Sequence, residues 1–221
     1  FKIASGDLKN LPLINYVADF GKPLIISTGG GYQEDIDRVV ESLESKKASY
    51  SILQCTAGYP PTWNELNLGV ISTLRSKFPN PVIGFSSHDN GIAMSVAAYA
   101  LGARIIEKHF TLNRTLKGTD HAFSLEPQGL SKLVRDLDRL HVALGDGVKS
   151  QYESEFDPLQ KMGKKIVAAK ALSRGTVLSS EDFEFKSPGD GLPPWRIQEI
   201  IGKTLTRNLE FEEAVIENDY S

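Results

Sequence analysis

Cysteine is nearly absent: Cys55 is the single one in 221 residues. No internal disulfide can form, which fits a reducing compartment. An excess of basic charge is also lacking. Twenty-five Lys and Arg against 28 Asp and Glu give a net charge of −3, so no basic surface advertises a nucleic-acid partner. No apolar run approaches the roughly 20 residues that span a bilayer, and no membrane partner is expected. A signal-peptide pattern is missing. Residue 1 is Phe and opens directly into the strand-like FKIAS. The expectation is a cytoplasmic globular chain that begins inside a domain. Its 40% hydrophobic and 24% charged content is ordinary for one.

What is present is an alternation. Short apolar runs recur at Phe1–Ser5, Pro23–Thr28, Ser51–Thr56, Val82–Ser86 and Arg104–Lys108. Helical patterns separate them: Leu11–Phe20, Gln33–Ser45, about Asn64–Phe78, Ile92–Leu101, and a stripe from Leu130 to Leu140 after Pro127. Strand–helix alternation at this rhythm predicts a parallel α/β sheet. Every strand ends in polar residues: SGD, STGGG, CTAGYP, SSHD and EKHFT. That favours a (β/α)8 TIM barrel, whose loops open on one face. A doubly wound sheet concentrates its chemistry at one switch point. Five units are visible and a barrel needs eight, so the N-terminal three are expected outside this sequence. The barrel portion is read as 1–148 and a polar linker as 149–164. A small β-rich domain is read at 165–221, with one short helix near Trp195–Ile201.

Two histidines, His88 and His109, end two consecutive strands. Two imidazoles at one end of a parallel sheet can hold a divalent metal, and a metal there suggests carbonyl chemistry. Each can equally be a hydrogen-bonded histidine at a strand end. Lys2, Ser5 and Asp7 lie on or just after the first strand. A lysine inside a barrel strand calls for an anion, whereas on an exposed chain end it calls for nothing. Ser27, Thr28 and Gly29–Gly31 form a loop whose amides could cradle an oxyanion, or a simple tight turn. Tyr59-Pro60-Pro61 reads as a rigid aromatic turn. Asp120 and His121 lie in a long loop of the kind that carries function. Cys55 reads as a small buried hydrophobe and His141 as a surface residue on a helix.

The motifs FKIASGD, KNLPL, GKPLIISTGG, QCTAGYP, IGFSSHDNGIA, ALGARIIEKHFTL and KGTDHAFSLEP, with VAAKALSRGTVLSSEDFEFKSPGDG and IGKTL near the end, closely resemble the N-acetylneuraminate (sialic acid) synthase family. The resemblance implies a TIM barrel followed by an antifreeze-protein-like (SAF) domain that caps the partner's active site in a domain-swapped homodimer. It implies condensation of phosphoenolpyruvate with an N-acyl amino sugar such as N-acetylmannosamine, giving a sialic-type acid and phosphate. By resemblance, His88 and His109 match metal ligands, with Mn2+ the expected ion and Mg2+ or Co2+ the alternatives. Lys2, Ser5, Ser27 and Ser86 match phosphoenolpyruvate-binding positions. Asp7 matches an acid near the metal-bound water, and Tyr59 and Asp120 match sugar contacts.

Three positions depart from the family pattern. Ala57 stands for an asparagine that contacts phosphoenolpyruvate, Ser87 for an aspartate beside the first metal histidine, and Ser187 for an arginine that reaches the sugar's N-acyl group. They leave open a non-catalytic sugar-binding or assembly module. A synthase acting on a phosphorylated sugar is the nearer enzymatic alternative. With three units absent, this segment alone is expected to be inactive.

Overall fold

The alternation of β-branched runs and amphipathic stripes is realised as two compact units, Phe1–Gly147 and Val148–Ser221, in a computed structural model that describes all 221 residues. In the first unit, strands β1 (Lys2–Ile3), β2 (Leu24–Ser27), β3 (Tyr50–Cys55), β4 (Val82–Ser87) and β5 (Ile105–Lys108) form one sheet. All four pairings are parallel, in the order β1-β2-β3-β4-β5. The order never reverses, so there is no switch point and the doubly wound alternative is excluded.

Helices α1 (Leu11–Ala18), α2 (Gln33–Ser45), α3 (Gly69–Lys77), α4 (Ala93–Ala100) and α5 (Pro127–Ala143) follow the strands. α3 begins later than the expected Asn64. A short 3-10 turn, Trp63–Glu65, comes first, and Asn67 in the left-handed region (φ 40°) interrupts the helical path.

Register sorts the side chains into two faces, because Cα partners in a parallel ladder point the same way. Ile3, Ile26, Ile52 and Ile83 share one level. With Phe85 and the helix residues Ile14, Val39, Leu43, Ile71 and Leu74 they form the buried core. The other face is polar toward its C-terminal end, and it curls. Lys2 on β1 lies 3.3 Å from Glu107 on β5, although three strands separate them. A flat sheet would hold those strands roughly 19 Å apart, four spacings of about 4.8 Å. The first unit is therefore a curled five-stranded half-barrel, the coarse form of the expected architecture.

The second unit has its own core of Ile166, Leu172, Leu178, Phe183, Ile200, Leu205, Leu209 and Val215. β6 (Lys165–Ala168) and β7 (Phe183–Lys186) pair antiparallel, and a short helix, α7, spans Ile197–Ile200. The stretch 149–164, expected as a polar linker, contains a 3-10 turn, Glu153–Glu155, and a helix, α6 (Phe156–Met162). The Glu155 carboxylate accepts the Tyr152 amide at 2.7 Å and starts the turn. The helix is only seven residues long, too short for its three apolar residues to set a pattern apart, and Phe156, Leu159 and Met162 are all exposed.

Candidate active site

The polar face is built from residues that the register places in common. Cys55, Ser86 and Glu107 occupy one level across β3, β4 and β5. The histidines follow two residues later on the same face, His88 after Ser86 and His109 after Glu107. Glu107 is the hub. One carboxylate oxygen lies 3.3 Å from Lys2 Nζ, and the other accepts the Ser86 hydroxyl at 2.8 Å. Lys2 therefore points into the half-barrel rather than dangling from a chain end. Ser27 shares this face, and its hydroxyl is buried without a partner. Such a donor is costly unless something fills its valence.

The glycine loop after β2 is tighter than a free amide cradle. The Gly29 amide donates to Ser5 Oγ at 2.9 Å, and the Gly31 amide to the Thr28 carbonyl at 3.1 Å. A Cβ at Gly29 would sit 2.8 Å from Ser5 Oγ and 2.9 Å from Ala57 Cβ. The loop needs glycine for close approach, and two of its amides are already engaged. Ser5 reaches Cys55 Sγ at 3.5 Å.

His88 is buried. Its Nδ1 faces the Thr56 carbonyl at 2.9 Å. A carbonyl only accepts, so Nδ1 carries the proton and Nε2 keeps its lone pair. Burial first, and then the neighbouring His109, hold the imidazole below its ordinary pKa, against the raising effect of the Thr56 contact. His109 ends the next strand, with its ring centroid 5.2 Å from that of His88. Its Nδ1 is 3.8 Å from Asp120 Oδ2, so Asp120 comes to the imidazole. The Tyr59 ring stacks 4.1 Å from His88 and 6.0 Å from His109. Desolvation first, and then the electrostatic influence of Cys55, Asp120 and Glu107, raise the Tyr59 phenol. Phe123, buried, closes the aromatic wall 5.1 Å from His109.

The donor chemistry suits a divalent ion in part. A neutral imidazole with Nδ1 on a carbonyl, beside one approached by a carboxylate, matches the outer-shell pattern of metal-ligating histidines. No group of three or more His, Cys, Asp or Glu is gathered to hold a metal. The fit is to an ion that takes two imidazoles and fills its other positions with water and substrate.

Lys2, Ser27, Ser86, His88, His109, Tyr59 and Asp120 thus share one side of the half-barrel, with Ser5 beside it. Asp7 lies in the turn after β1, where its carboxylate accepts from Asn10 at 3.2 Å and meets neither imidazole. Ser187 lies in the second unit, exposed, accepting from Lys164 at 2.8 Å and donating to the Met162 carbonyl at 3.3 Å. Glu107 and Phe123 were not singled out from the sequence. A charged residue two before His109 in IIEKHF was the available signal for Glu107. Ser87 bonds to Asp89 beside Lys108, so its hydroxyl turns away from the site.

Fold and site together define a barrel-type α/β unit with a histidine pair and an anion-directed network at its strand ends, joined in sequence to a small β unit. The NeuB family matches residues 1–149, and the SAF domain matches 165–214. The chain belongs to the NeuB family. It is 37% identical over 220 residues to an N,N'-diacetyllegionaminic acid synthase of Campylobacter jejuni, covering 98% of this chain and 66% of that one. It is 37% identical over 218 residues to the human N-acetylneuraminate-9-phosphate synthase, covering 98% and 61%. The crystal structure of the N-acetylneuraminic acid synthetase of Leptospira borgpetersenii in complex with citrate superposes with a TM-score of 0.66 at 39% identity, covering 71% of this chain and 55% of that one. The chain spans less than two thirds of the length of these curated relatives. No helix is long and apolar enough to cross a membrane.

Proposed function

We propose that this chain is part of a carbon–carbon bond-forming transferase that condenses phosphoenolpyruvate with an N-acyl aldohexose of the N-acetylmannosamine type. The products are a nine-carbon 2-keto sugar acid and phosphate. The observation that carries this reading is the Lys2–Glu107–Ser86 network, set one level below two adjacent imidazoles on the same inner face. An ammonium and a hydroxyl suit an acidic phosphate ester, and the imidazoles suit an aldehyde to be polarised.

In this reading Lys2, Ser27 and Ser86 hold the phosphoenolpyruvate anion by charge-assisted and hydroxyl hydrogen bonds. Its methylene carbon attacks the sugar aldehyde carbon, the carbonyl π pair moves to the aldehyde oxygen, and that oxygen takes a proton from solvent. Water adds to the cationic carbon that bears the phosphate. Glu107, the carboxylate nearest that level, accepts the proton the water gives up. The carbon–oxygen bond to phosphate then breaks with its electron pair leaving on phosphate, and the remaining hydroxyl gives its proton to the departing phosphate, leaving the keto group. His88 and His109 would hold a divalent ion, Mn2+ by preference, which when bound supplies Lewis-acid polarisation of the aldehyde. Tyr59 and Asp120, at the mouth, contact the sugar, and fixing both reactants lowers the entropic part of the barrier.

The same reading includes three further strand–helix units to complete an eight-stranded barrel. It also includes a homodimer whose SAF unit brings Ser187 to the partner's sugar, and a cytoplasmic setting. The departure at Ser87 leaves the site intact, since that hydroxyl serves the opposite face. Phosphate release from phosphoenolpyruvate by the full-length protein, with a panel of N-acyl hexosamines and Mn2+, tests the proposal. Release that requires one of these sugars supports it. No release with any acceptor favours a binding or assembly module instead.

A further inference from the structure

We propose that the buried Lys108–Asp89 ion pair is a positioning device that sets the separation of His88 and His109. The inference rests on the two-histidine site proposed above. Asp89 directly follows His88 and Lys108 directly precedes His109, so each partner is one peptide from an imidazole. Lys108 Nζ donates to the Asp89 carboxylate at 3.0 Å and to the Asp89 backbone carbonyl at 2.6 Å. Ser87 bonds to the same carboxylate and lies 3.4 Å from the ammonium. Both side chains are sealed, 4% and 1% exposed.

The position of the pair is what matters. The β4–β5 ladder ends at Ser87 and Lys108. Past that rung no strand pairing holds His88 to His109; ring contacts with Tyr59 and Phe123 pack the two imidazoles, and the ion pair is the polar link that ties the main chain of one strand end to the other. It grips the main chain of residue 89 as well as its side chain, so it fixes direction and not merely proximity.

Stability alone does not explain it. Burying two charges costs several kcal/mol per ion, and an apolar pair of similar volume is often neutral or better. The second Asp89 oxygen is buried with no partner, which adds to the cost. An apolar pair would fill the space but would leave the chain at residue 89 free to shift. Metal–ligand distances tolerate about 0.2 Å, so a small shift of one imidazole is enough to lose a shared ion.

The test compares the wild-type protein with the double variant Asp89→Leu/Lys108→Met, which leaves no unpaired charge behind. Mn2+ affinity is read by electron paramagnetic resonance of the free ion, Co2+ coordination by visible absorption, and folding by thermal midpoint. The expected result is a preserved midpoint, Mn2+ affinity weakened roughly 10- to 100-fold, and an altered Co2+ spectrum. A folded double variant with wild-type affinity and spectrum overturns the proposal. If the double variant does not fold, Asp89→Asn/Lys108→Met, which removes both charges and the ammonium's grip on residue 89, carries the same readout with the same two outcomes. Nuclear Overhauser contacts between the two imidazole rings, recorded without metal, separate this inference from the reading beneath it. A wild-type protein that binds no Mn2+ sinks the metal site. Ring contacts that persist unchanged in the variant sink the positioning role, whatever the metal does.

Discussion

Replacing Lys2 by Met separates the two things this lysine could be doing. Methionine keeps most of the apolar stem and removes the charge. The partner carboxylate, Glu107, is 3.3 Å away, and the two side chains are 35% and 41% exposed. A pair that open to solvent contributes at most about 0.2–1 kcal/mol, and less after screening. Glu107 also keeps its bond from Ser86. The thermal midpoint should therefore fall by no more than about 2–4 °C in a unit of this size. The loss in substrate binding should be larger. A hydrogen bond to a charged group is worth roughly 1.5–3 kcal/mol, and each 1.4 kcal/mol is about tenfold. KM for phosphoenolpyruvate should rise roughly ten- to hundredfold, with KM for the sugar little changed. The assay is steady-state phosphate release by the full-length protein at saturating sugar, beside a thermal melt of the same preparation. An unchanged KM for phosphoenolpyruvate with a midpoint lowered by many degrees would refute the reasoning, because Lys2 would then be a structural ion pair and nothing more.

Gly84→Ala should destabilise the first unit, since the new Cβ would lie 2.6 Å from the Ile105 carbonyl oxygen and 2.9 Å from Leu53. Forcing β4 from β5 costs about 1–3 kcal/mol, readable as a lower midpoint in a thermal or urea melt. His88, held below its ordinary 6.5 by burial, binds its proton more readily in the unfolded chain. Its contribution to stability is complete above about pH 6.5 and falls as pH drops toward the lower folded value. Midpoints measured from pH 7.5 to 5 should decline more steeply for the wild type than for His88→Asn, and parallel curves would contradict the assignment.

Much of this architecture is legible in the residues, and the exceptions share a cause. The five strands and the helices α1, α2, α4 and α5 stand close to where hydrophobic periodicity puts them, because each is specified by its own local pattern. His88 and His109 are legible because strand ends are. Glu107 is not, because its meaning comes from Lys2, more than a hundred residues earlier, and the curl of the sheet alone brings them together. The facing of Lys108 and Ser87 is not legible for a related reason. Which face a strand residue takes depends on register with its neighbours, and a shift of one reverses it. The glycine loop looks like an anion cradle from its amides, until Ser5 and Thr28 are seen to occupy two of them. Helix α6 escapes notice because it is only seven residues long, too short for three apolar residues to register as a period.

The central claim is that this site joins phosphoenolpyruvate to an aldehyde sugar. The most direct test is mass-spectrometric detection of the product after incubating the full-length protein, with its barrel complete, with both substrates and Mn2+, and with phosphate quantified in the same mixture. The account predicts a nine-carbon 2-keto acid equimolar with phosphate, formed only when both substrates are present and lost in His88→Ala. Phosphate released without the sugar, with no keto acid of the summed carbon count, would contradict it.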